Sequence, residues 1–476
     1  MTLSSDLQKA QKIHFTGIKG IAMSAFACLV AQKDIEISGS DIDEAFPSDQ
    51  ILKNVNVRPN IGFSREFIRK TKPDLLIYTG AHNGRENEEV VQAVSMGIPV
   101  MPHGKALGLI MKDFKAISVA GSHGKTTCSA MIASVLRKSK LDPSYAVGCG
   151  EIFPIGNPGY LGSGKWFIAE ADEYVTDPGH DSKPRFLWQN PTIGIVLNIE
   201  FDHPDVYGSI DDVFDAFRQF VSNVTPNGTL IVNGDSKKCR KLVSKNTVTV
   251  GFGASNIYQI KNYYQIGKQQ SFDLYSKNSK IGTFKICLPG IHNIFNSAVS
   301  LVAANLAGIG WQEAGNSLSS FKGTKRRIEE ILSDEFITIY DDYAHHPSEI
   351  KATLKAIRSW YPKRKIITVF QPHTYTRTKN LLDSFSKSFA GSDQVIITDI
   401  YASGREADTG MVSAGSLAKL TSKHQNHVFY KGKFEEVSRY LLKNIHKSDI
   451  IVFMGAGDIY NWASTFTTIY NETKNK

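Results

Sequence analysis

Short apolar runs that end in glycine turns alternate with amphipathic stretches along most of the chain. The first instance reads strand, glycine turn, helix and strand in the segments KIHFTG, IKG, IAMSAFACLVAQK and IEISGSD. This is the outline of a Rossmann βαβ unit, with Gly17 and Gly20 in the first turn and Asp41 at the end of the second strand. The dinucleotide fingerprint G-x-G-x-x-G fails, because its later glycines fall on Lys19 and Ala22. The lysine indicates a phosphate-bearing ligand held differently from NAD, and the alternative is a turn that only packs helix on strand.

The same alternation recurs further along and predicts three domains, in agreement with a length of 476 residues that exceeds one core. Two late segments of the middle part, IYQIKNYYQIGKQQSFDLYS and KIGTFKICLPG, read instead as appended antiparallel strands. The predicted fold class is α/β throughout. It comprises a Rossmann-like N-terminal domain (1–112), a central P-loop ATPase-like domain with the appended strands (113–325) and a C-terminal Rossmann-like domain (326–476).

The segment AISVAGSHGKTTCSAMIASVL places a glycine turn between a strand and a helix, where a phosphate loop lies. It departs from the usual G-x-x-x-x-G-K-[ST] pattern, because Val119 stands where the first glycine belongs. Main-chain N–H groups at a helix N-terminus favour a polyphosphate, Lys125 would reach its β- and γ-phosphates, and Thr126 would offer a hydroxyl to Mg²⁺. The predicted nucleotide-binding residues of this loop are Gly121, Ser122, His123, Gly124, Lys125, Thr126 and Thr127.

Two apolar strands that follow this loop end in acidic residues. The segments are WFIAEADEYVTD and TIGIVLNIEFDHPDVY, and their polar ends carry Glu170, Asp172, Glu173, Asn198, Glu200, Asp202 and His203. Carboxylates at the ends of buried strands are costly unless a cation or ligand compensates them. The pattern therefore predicts a metal-bridged triphosphate site, and the alternative is an acidic cluster on the surface.

Composition and charge exclude several classes of protein. The net charge of +9 suits either solvated lysines or anionic small substrates. Nucleic-acid binding would require basic residues interleaved with exposed aromatics, or a recognition helix, and neither is found. The five cysteines are scattered without a C-x-x-C pair, so neither a disulfide framework nor a zinc site is predicted. No signal peptide or membrane span is predicted, so we expect a cytoplasmic protein.

Nine motifs in order resemble those of the Mur ligases, the amino-acid-adding enzymes of peptidoglycan synthesis. They are GSHGKTT, EADE, NIEFDHPD, LPGIHNIFNSAVS, GTKRR, DDYAHHPSE, FQPHTYTRT, YASGREADTG and FMGAGD. Within the family the chain is most similar to the members that add the first amino acid. The resemblance implies ATP-dependent ligation of L-alanine to the lactyl carboxylate of UDP-N-acetylmuramate through an acyl phosphate, with ADP and phosphate as products. It also implies two Mg²⁺ ions, for which Mn²⁺ can substitute, and a monomer or weak homodimer.

The resemblance also assigns roles to single residues. The N-terminal domain would bind UDP through Gly17, Lys19, Gly20, Met23, Ser24, Ser40 and Asp41, and His103 or Lys105 would replace a family arginine. Further ATP-binding residues would be Asn293, Asn296, Arg327 and Asp342, with His292 on the adenine side. The metal ligands would be Thr126, Glu170 and His203. The catalytic residues would be Lys125, Glu170, His203, His346 and Arg377, and the amino-acid and muramyl carboxylates would bind His346, His373 and Arg377.

Several alternatives remain open at this point. Asn293 could instead cap a helix, Arg326 could be a solvated neighbour of Arg327, and His373 could belong to the core. The 33 positions that separate Glu170 from His203 are more than expected for many alanine-adding ligases. The extra residues, around YVTDPGHDSKPRFLWQN, resemble those of a murein peptide ligase, which joins a recycled peptide to the same sugar nucleotide. The motifs FQPHTYTRT and YASGREADTG favour the alanine-adding enzymes instead, because in the family they surround the amine site. A nicotinamide-dependent oxidoreductase and a nucleic-acid-binding ATPase fit the motifs less well.

Overall fold

The computed structural model describes residues 9–402, 408 and 410–474. The chain divides into two compact units, of which the first comprises Met1–Cys287 with Ile294–Thr324 and the second Leu288–Asn293 with Lys325–Lys476. The predicted domain boundary after residue 325 lies one residue from this division. The predicted boundary after residue 112 falls within the first unit, between two of its sheets, and stays a prediction.

The N-terminal part of the first unit forms a five-stranded parallel sheet. Its strands, in sheet order, are β3 (Asn60–Ile61), β2 (Glu36–Asp41), β1 (Lys12–Thr16), β4 (Leu75–Tyr78) and β5 (Val100–Pro102). Because β1 pairs with β2 on one side and β4 on the other, the chain order reverses at β1. In open α/β sheets such a switch point is where ligands bind, at the carboxyl ends of the strands. The predicted βαβ outline is confirmed.

A ten-stranded sheet forms the rest of the first unit. In sheet order its strands are β18 (Ser279–Ile286), β17 (Gln269–Ser276), β16 (Tyr258–Ile266), β15 (Thr247–Gly251), β14 (Thr229–Asn233), β13 (Ile193–Val196), β6 (Lys115–Ala120), β10 (Trp166–Ala171), β7 (Ser144–Ala146) and β9 (Gly159–Tyr160). In this order the neighbours from β15–β16 to β10–β7 pair in parallel. Strand β9 pairs antiparallel with β7, and β16, β17 and β18 form the predicted antiparallel hairpins. The central strands β6, β10 and β13 are almost entirely buried, as their apolar sequences require.

Two pairs of short antiparallel strands complete the first unit. They are β8 (Ile152–Phe153) with β19 (Gly323–Thr324), and β11 (Val175–Asp177) with β12 (Asp181–Pro184). The second unit has a six-stranded sheet, in order β20 (Glu329–Ser333), β21 (Ile337–Asp342), β25 (Asp449–Met454), β22 (Ile366–Phe370), β23 (Gln394–Ile397) and β24 (Val428–Tyr430). Only β20 pairs in an antiparallel manner, so the predicted doubly wound character is confirmed.

Helices follow most of the strands. They are α1 (Ile21–Val30), α2 (Asp49–Asn54), α3 (Arg65–Thr71), α4 (Glu88–Ser95), α5 (His103–Met111), α6 (Lys125–Lys138), α7 (Ile210–Ser222), α8 (Ile291–Leu306), α9 (Trp311–Ser319), α10 (Pro347–Trp360), α11 (Tyr375–Asn380), α12 (Leu382–Ser386), α13 (Ala414–Thr421), α14 (Phe434–Asn444) and α15 (Ile459–Lys474). Among the described residues, none of these helices combines the length and the apolar character that crossing a bilayer demands.

Candidate active site

The phosphate loop (residues 121–126) joins β6 to α6 and is held in shape by Asn198. The His123 N–H donates to Asn198 Oδ1 at 2.8 Å, and Asn198 Nδ2 donates back to the His123 carbonyl at 2.9 Å. Gly121 and Gly124 have φ angles of +146° and +83°, a region that suits glycine and bends the chain into the first turn of α6. Asn198, from the acidic segment that follows β13, therefore holds the phosphate loop in shape through both the oxygen and the nitrogen of its side-chain amide.

Lys125 carries a positive charge at this loop. Its Nζ donates to the Gly121 carbonyl at 2.7 Å and to Glu173 Oε2 at 2.8 Å. Burial alone would lower the pKa of Lys125, but the carboxylates of Glu173 and Asp172 outweigh burial and raise the pKa above its ordinary value. The ammonium group is therefore a permanent cation beside the main-chain N–H groups of the loop.

Thr126 and Glu170, predicted as metal ligands, lie in contact. Thr126 Oγ1 donates to Glu170 Oε2 at 3.2 Å, while Glu170 Oε1 accepts the Gly148 N–H at 2.7 Å. Hydroxyl and carboxylate oxygens are the ligands that Mg²⁺ prefers. The structure thus brings together, next to the phosphate loop, two of the three residues that the sequence assigned to the metal.

The third predicted ligand, His203, belongs to an acidic cluster with Asp172 and Glu173. The ligand atoms of these three residues all lie within 4.8 Å of one another. His203 Nε2 is 4.0 Å from Glu173 Oε1, which is buried and makes no hydrogen bond within the described part of the chain. Burial would raise the pKa of Asp172, but the charges of Arg185, Lys125 and His203 lower it to about 2. The cluster therefore presents ionised carboxylate oxygens to a cation.

The β1 turn (residues 17–20) lies at the switch point of the first sheet. Gly17 has a φ of +80°, and a Cβ atom there would come within 2.4 Å of Thr79 Cγ2. Asp41, buried at the end of β2, accepts the N–H groups of Lys19 at 2.7 Å and of Ile42 at 2.8 Å. Burial raises the pKa of Asp41. Asp41 therefore fixes the shape of this turn, and its contact with UDP stays a prediction.

The side chain of Lys19 is directed to the loop that follows β2. Its Nζ donates to the carbonyls of Ile42 at 3.1 Å and Glu44 at 2.8 Å, and it lies 5.6 Å from the ring centroid of Phe46. Lys19 would have to give up these bonds to contact a phosphate. The side chains of the other predicted residues in this region, Met23, Ser24 and Ser40, are also buried. The main chain of the β1 turn, rather than these side chains, is what the geometry offers to a ligand.

Below the β1 turn, the structure shows a buried pair that sequence reasoning missed. His14 Nε2 lies 3.1 Å from Glu89 Oε2, both side chains are fully buried, and Thr16 Oγ1 donates to the same oxygen at 2.9 Å. Histidine on an apolar strand and glutamate in the first turn of α4 give no sequence signal that they meet. His82 is a further missed residue, with Nε2 3.5 Å from Asp41 Oδ1.

His103, one of the two residues predicted to replace a family arginine, begins α5 close to the β1 turn and the acidic cluster. It forms a hydrogen bond with the Ala22 backbone, and burial together with the charge of Arg185 lowers its pKa to about 4. A neutral imidazole cannot serve as the cation that an arginine would supply. The Nζ atom of Lys105, the other of these two residues, lies 5.8 Å from the Trp188 ring centroid.

In the second unit, Asp342 ends β21, and its carboxylate accepts three hydrogen bonds, one of them from the loop that follows. It accepts the N–H groups of Ile328 at 2.8 Å and Ala344 at 3.0 Å, and the Thr353 hydroxyl at 3.0 Å. Burial raises the pKa of Asp342. The contact of Asp342 with ATP stays a prediction; two of these bonds are made to Oδ1 and one to Oδ2.

The two neighbouring arginines differ in environment. Arg326 is buried and contacts Asp341 Oδ2 at 3.3 Å and the Gly455 carbonyl at 2.7 Å, so the interpretation of Arg326 as a solvated neighbour is wrong. Arg327 lies 5.1 Å from the Tyr343 ring centroid, with Nη1 3.8 Å from Glu349 Oε1. Arg326 is a structural residue, whereas Arg327 remains the predicted phosphate ligand.

The residues predicted to bind carboxylates lie at the carboxyl end of the second unit's sheet. Arg377, in the first turn of α11, donates from Nη1 to His373 Nδ1 at 3.4 Å. The ring of His345 lies 5.9 Å from that of His373, whereas His346 caps α10 by accepting the Ser348 N–H at 3.3 Å. His373 therefore belongs to a polar group rather than to the core. In the motif YASGREADTG, residues 403–407 and 409 lie outside the described residues.

The two asparagines predicted to bind ATP lie in the first turns of α8, but in different units. Within the second unit, Asn293 Nδ2 donates to the Pro289 carbonyl at 2.8 Å. Asn293 lies inside α8 rather than at its N-cap position. Within the first unit, Asn296 approaches the phosphate loop, because a Cβ atom on Gly124 would lie 3.4 Å from its amide. His292, beside Asn293, has its pKa lowered to about 4 by burial and by the charge of Arg327.

Comparison with known proteins gives matches along almost the whole chain. Three family models match: Mur ligase family, catalytic domain (12–115), Mur ligase middle domain (119–304) and Mur ligase, glutamate ligase domain (326–457). The UDP-N-acetylmuramate–L-alanine ligase of Caldanaerobacter subterraneus subsp. tengcongensis is 40% identical over 466 residues, which cover 97% of this chain and 98% of that protein.

Two solved structures share the fold. The UDP-N-acetylmuramate-alanine ligase of Thermotoga maritima superimposes with a TM-score of 0.81 at 24% identity, over 97% of this chain and 99% of the other. The murein peptide ligase of Psychrobacter arcticus gives a TM-score of 0.71 at 22% identity, over 96% and 98% of the two chains. At 24% and 22% identity, the superpositions show the fold alone. They do not distinguish an amino acid from a peptide as the substrate.

Proposed function

The chain belongs to the Mur ligase family, and on that premise we propose that it joins L-alanine to the lactyl carboxylate of UDP-N-acetylmuramate. The reaction converts ATP to ADP and phosphate and supplies a precursor of peptidoglycan. The 40% identity to a UDP-N-acetylmuramate–L-alanine ligase over nearly the full length of both chains supports this substrate pair. A nicotinamide-dependent oxidoreductase, by contrast, would leave the residues around the phosphate loop without a role.

The arrangement of Lys125, Thr126, Glu170 and His203 around the phosphate loop is the observation that carries the proposal. The loop offers main-chain N–H groups and the Lys125 ammonium to a polyphosphate, while Glu173 holds that ammonium at 2.8 Å. Transfer of a γ-phosphoryl group depends mainly on positioning and on compensation of negative charge, because the protein supplies little covalent chemistry. The phosphate loop and the carboxylate-lined strand ends supply both.

The residues at the strand ends also fit magnesium. Thr126 with Glu170 offers hard oxygen ligands, and the buried Glu173 Oε1, without a hydrogen bond in the described part of the chain, faces His203. Thr126 and Glu170 would hold one ion, and His203 would assist a second. When bound, Mg²⁺ reduces the repulsion between the negative charges of the acceptor carboxylate and the γ-phosphate. We retain Mn²⁺ as a substitute for Mg²⁺, since both accept these ligand types.

In the first step, the acceptor carboxylate attacks the γ-phosphorus of ATP and ADP leaves, which gives an acyl phosphate. The Lys125 ammonium and the loop N–H groups hold the phosphates in line for this attack. The main chain of the β1 turn would bind the diphosphate of the sugar nucleotide. Asp41 would contribute indirectly, because it fixes the Lys19 N–H at 2.7 Å.

In the second step, the amine of alanine attacks the acyl carbon, and phosphate leaves from the tetrahedral intermediate. The amine must first lose a proton, and a neutral imidazole is a suitable acceptor. Arg377 with His373 would bind the carboxylate of the amino acid, because an arginine fork fits a carboxylate in a fixed orientation. We assign no residue as the general base.

Phosphate release from ATP and Mg²⁺ in the presence of UDP-N-acetylmuramate tests the proposal. L-alanine, glycine, L-serine and the murein tripeptide would be compared as acceptors at equal concentrations. Strong stimulation by L-alanine is the expected result. Stimulation by the tripeptide alone would refute alanine addition and identify a peptide-recycling ligase, and stimulation by none of the acceptors would refute ligation.

Lys125→Ala tests the nucleotide site within the same assay. The variant should lose turnover by a factor on the order of a thousand or more, because it removes the cation from the phosphate loop. Binding of UDP-N-acetylmuramate, measured by calorimetry without ATP, should remain. Lys138→Ala is the matched control, since Lys138 is exposed at the other end of the same helix. Normal turnover by Lys125→Ala would contradict the proposed site.

A further inference from the structure

The segment between Glu170 and His203 forms a defined structure, here called the hairpin segment (residues 175–188). It consists of β11, β12 and a 3₁₀ turn, Arg185–Trp188. Trp188 Nε1 donates to Thr176 Oγ1 at 3.0 Å, and the buried Phe186 ring stacks on Phe220 at a centroid distance of 5.1 Å. These contacts attach the base of the hairpin segment to the core of the ten-stranded sheet.

The outer part of the hairpin segment contacts the N-terminal part of the same unit. Asp177 Oδ2 accepts the Arg85 N–H at 3.0 Å, and His180 Nε2 lies 3.4 Å from Glu86 Oε1. A Cβ atom on Gly84 would lie 1.9 Å from Asp177 Oδ1, so a side chain there would displace the carboxylate. The hairpin segment is therefore packed closely against the loop that follows β4.

A second close contact lies on α5. A Cβ atom on Gly108 would be 2.2 Å from the Trp188 carbonyl, and one on Gly104 would be 3.4 Å from Arg185. Because α5 begins at His103, which bonds to the Ala22 backbone after the β1 turn, the hairpin segment meets the helix that supports this turn. It thus connects the N-terminal sheet to the sheet that carries the phosphate loop.

Arg185 is the point at which the hairpin segment contacts the acidic cluster. Its Nη1 donates to Asp172 Oδ2 at 2.9 Å, and its own N–H donates to the Tyr174 carbonyl at 2.9 Å. The Phe186 N–H donates to the Asp172 carbonyl at 2.9 Å, so both the main chain and the side chain of Asp172 are held. The two adjacent acids therefore have separate cations, Arg185 on Asp172 and Lys125 on Glu173.

We propose that Arg185 is a positioning residue for the ligation reaction, which it serves by holding the Asp172 carboxylate beside Glu173 and His203. The hairpin segment fixes the guanidinium group at the acidic cluster, with Nη1 2.9 Å from Asp172 Oδ2. This inference rests on the proposed function and adds a role for a segment that the phosphate loop and metal ligands do not require.

The physical reason lies in the charge balance of the cluster. Without the guanidinium, Asp172 would be free to turn toward Lys125 or His203 and to disturb their contacts with Glu173. A planar fork donates along a fixed direction, whereas a lysine would supply charge with less directional control. Removing the guanidinium should therefore lower kcat/KM more than it weakens nucleotide binding, because nucleotide binding depends on the phosphate loop itself.

Arg185→Gln and Arg185→Lys test the proposal in the phosphate-release assay. The glutamine variant should lower kcat/KM for UDP-N-acetylmuramate by about tenfold or more, as expected for a misplaced charged group in an active site. Lysine should restore part of this loss. Binding of ADP, measured by calorimetry, should change by less than about twofold because the phosphate loop is intact. Lys183→Gln is the matched control, since it removes a cation that lies 3.7 Å from the Trp188 ring on the same hairpin segment.

A double-mutant cycle with Asp172→Asn separates positioning from general support of the fold. If Arg185 acts through Asp172, the double variant should be little worse than the more impaired single variant. Independent, multiplying effects would overturn the proposal, and so would unchanged kcat/KM in Arg185→Gln or equal losses in Lys183→Gln. If the wild-type protein were inactive with every acceptor, both the proposed function and this inference would be overturned. If the wild type is active, the results for the Arg185 variants bear on the role of Arg185 alone.

Discussion

The buried pair of His14 and Glu89 gives the sharpest prediction for stability. Glu89 Oε2 accepts hydrogen bonds from His14 Nε2 at 3.1 Å and from the Thr16 hydroxyl at 2.9 Å. The other oxygen, Oε1, accepts a hydrogen bond from the Ser64 N–H at 3.2 Å. Both side chains of the pair have no exposed surface. Glu89→Gln would keep the volume of the side chain but remove its charge, and either orientation of the amide turns an NH₂ group toward at least one existing donor.

The magnitude follows from burial and from the number of bonds affected. Leaving a buried polar group without its hydrogen bond costs about 1–3 kcal/mol, and more where a charged group is involved. We expect about 3 kcal/mol because three hydrogen bonds meet at this carboxylate and glutamine retains part of them. For the first unit, which comprises Met1–Cys287 and Ile294–Thr324, such a loss corresponds to a midpoint about 4–5 °C lower. Thr16 directly precedes the β1 turn, so KM for UDP-N-acetylmuramate should also rise.

The dependence on pH has a defined sign. Burial alone would raise the pKa of Glu89, but the hydrogen bond and charge of His14 outweigh burial and lower the pKa below its ordinary value of 4.5. A carboxyl group with a depressed pKa in the folded state contributes stability above its unfolded pKa, and this contribution is lost as the pH falls through the folded pKa. The difference between wild type and Glu89→Gln should therefore be complete at pH 7 and shrink below 4.5.

Thermal and urea unfolding, followed by tryptophan fluorescence at neutral and acidic pH, measure this difference. Glu88→Gln is the matched control, because Glu88 is the exposed neighbour of Glu89 on the same helix. If the free energies of unfolding of Glu89→Gln and Glu88→Gln agreed to within about 0.5 kcal/mol at pH 7, the usual range of surface substitutions, the stabilising role of Glu89 would be refuted. If the difference in unfolding free energy between wild type and Glu89→Gln grew as the pH fell, the pKa of Glu89 would not be lowered in the folded state.

Two further predictions concern substrate binding. Gly17→Ala should raise KM for UDP-N-acetylmuramate and destabilise the first unit by about 1–3 kcal/mol, since Gly17 has a positive φ and its Cβ would meet Thr79. Gly62→Ala, at a similar φ but in open space, is the control for backbone strain alone, and equal effects on KM would contradict the role of the β1 turn. Arg377→Ala should raise KM for L-alanine by about tenfold or more in the phosphate-release assay, whereas Lys379→Ala on the same helix should not. A normal KM for L-alanine in Arg377→Ala would remove Arg377 from the amino-acid site.

Much of the fold could be predicted from the sequence, because the information is local. A buried strand, a glycine turn and a helix follow one another within residues 115–138, so the phosphate loop required no knowledge of distant contacts. The acidic ends of β10 and β13 could be related to that loop for a simple reason. Strands of a parallel sheet present their carboxyl ends at one edge, and β6 lies between β10 and β13.

The roles of individual charges could not be predicted in this way. Lys19 was a plausible phosphate ligand in sequence, but the loop after β2 supplies carbonyl groups that hold its ammonium. Likewise, Arg326 and Arg327 are adjacent in sequence, and only packing distinguishes the buried residue from the other. A hydrogen-bond partner supplied by a distant main chain leaves no pattern in the residues themselves.

The residue pattern of the chain was enough to predict the α/β architecture, the position of the phosphate loop and the class of ligand that this loop suits. Tertiary structure alone decided that Glu89 meets His14 across 75 positions and that Arg185 holds Asp172. Periodicity and turn residues report the local preferences of the backbone, whereas the pairing of buried charges depends on which segments the completed sheets bring together. A buried carboxylate is stable only where such a partner arrives, so its environment is a property of the folded chain.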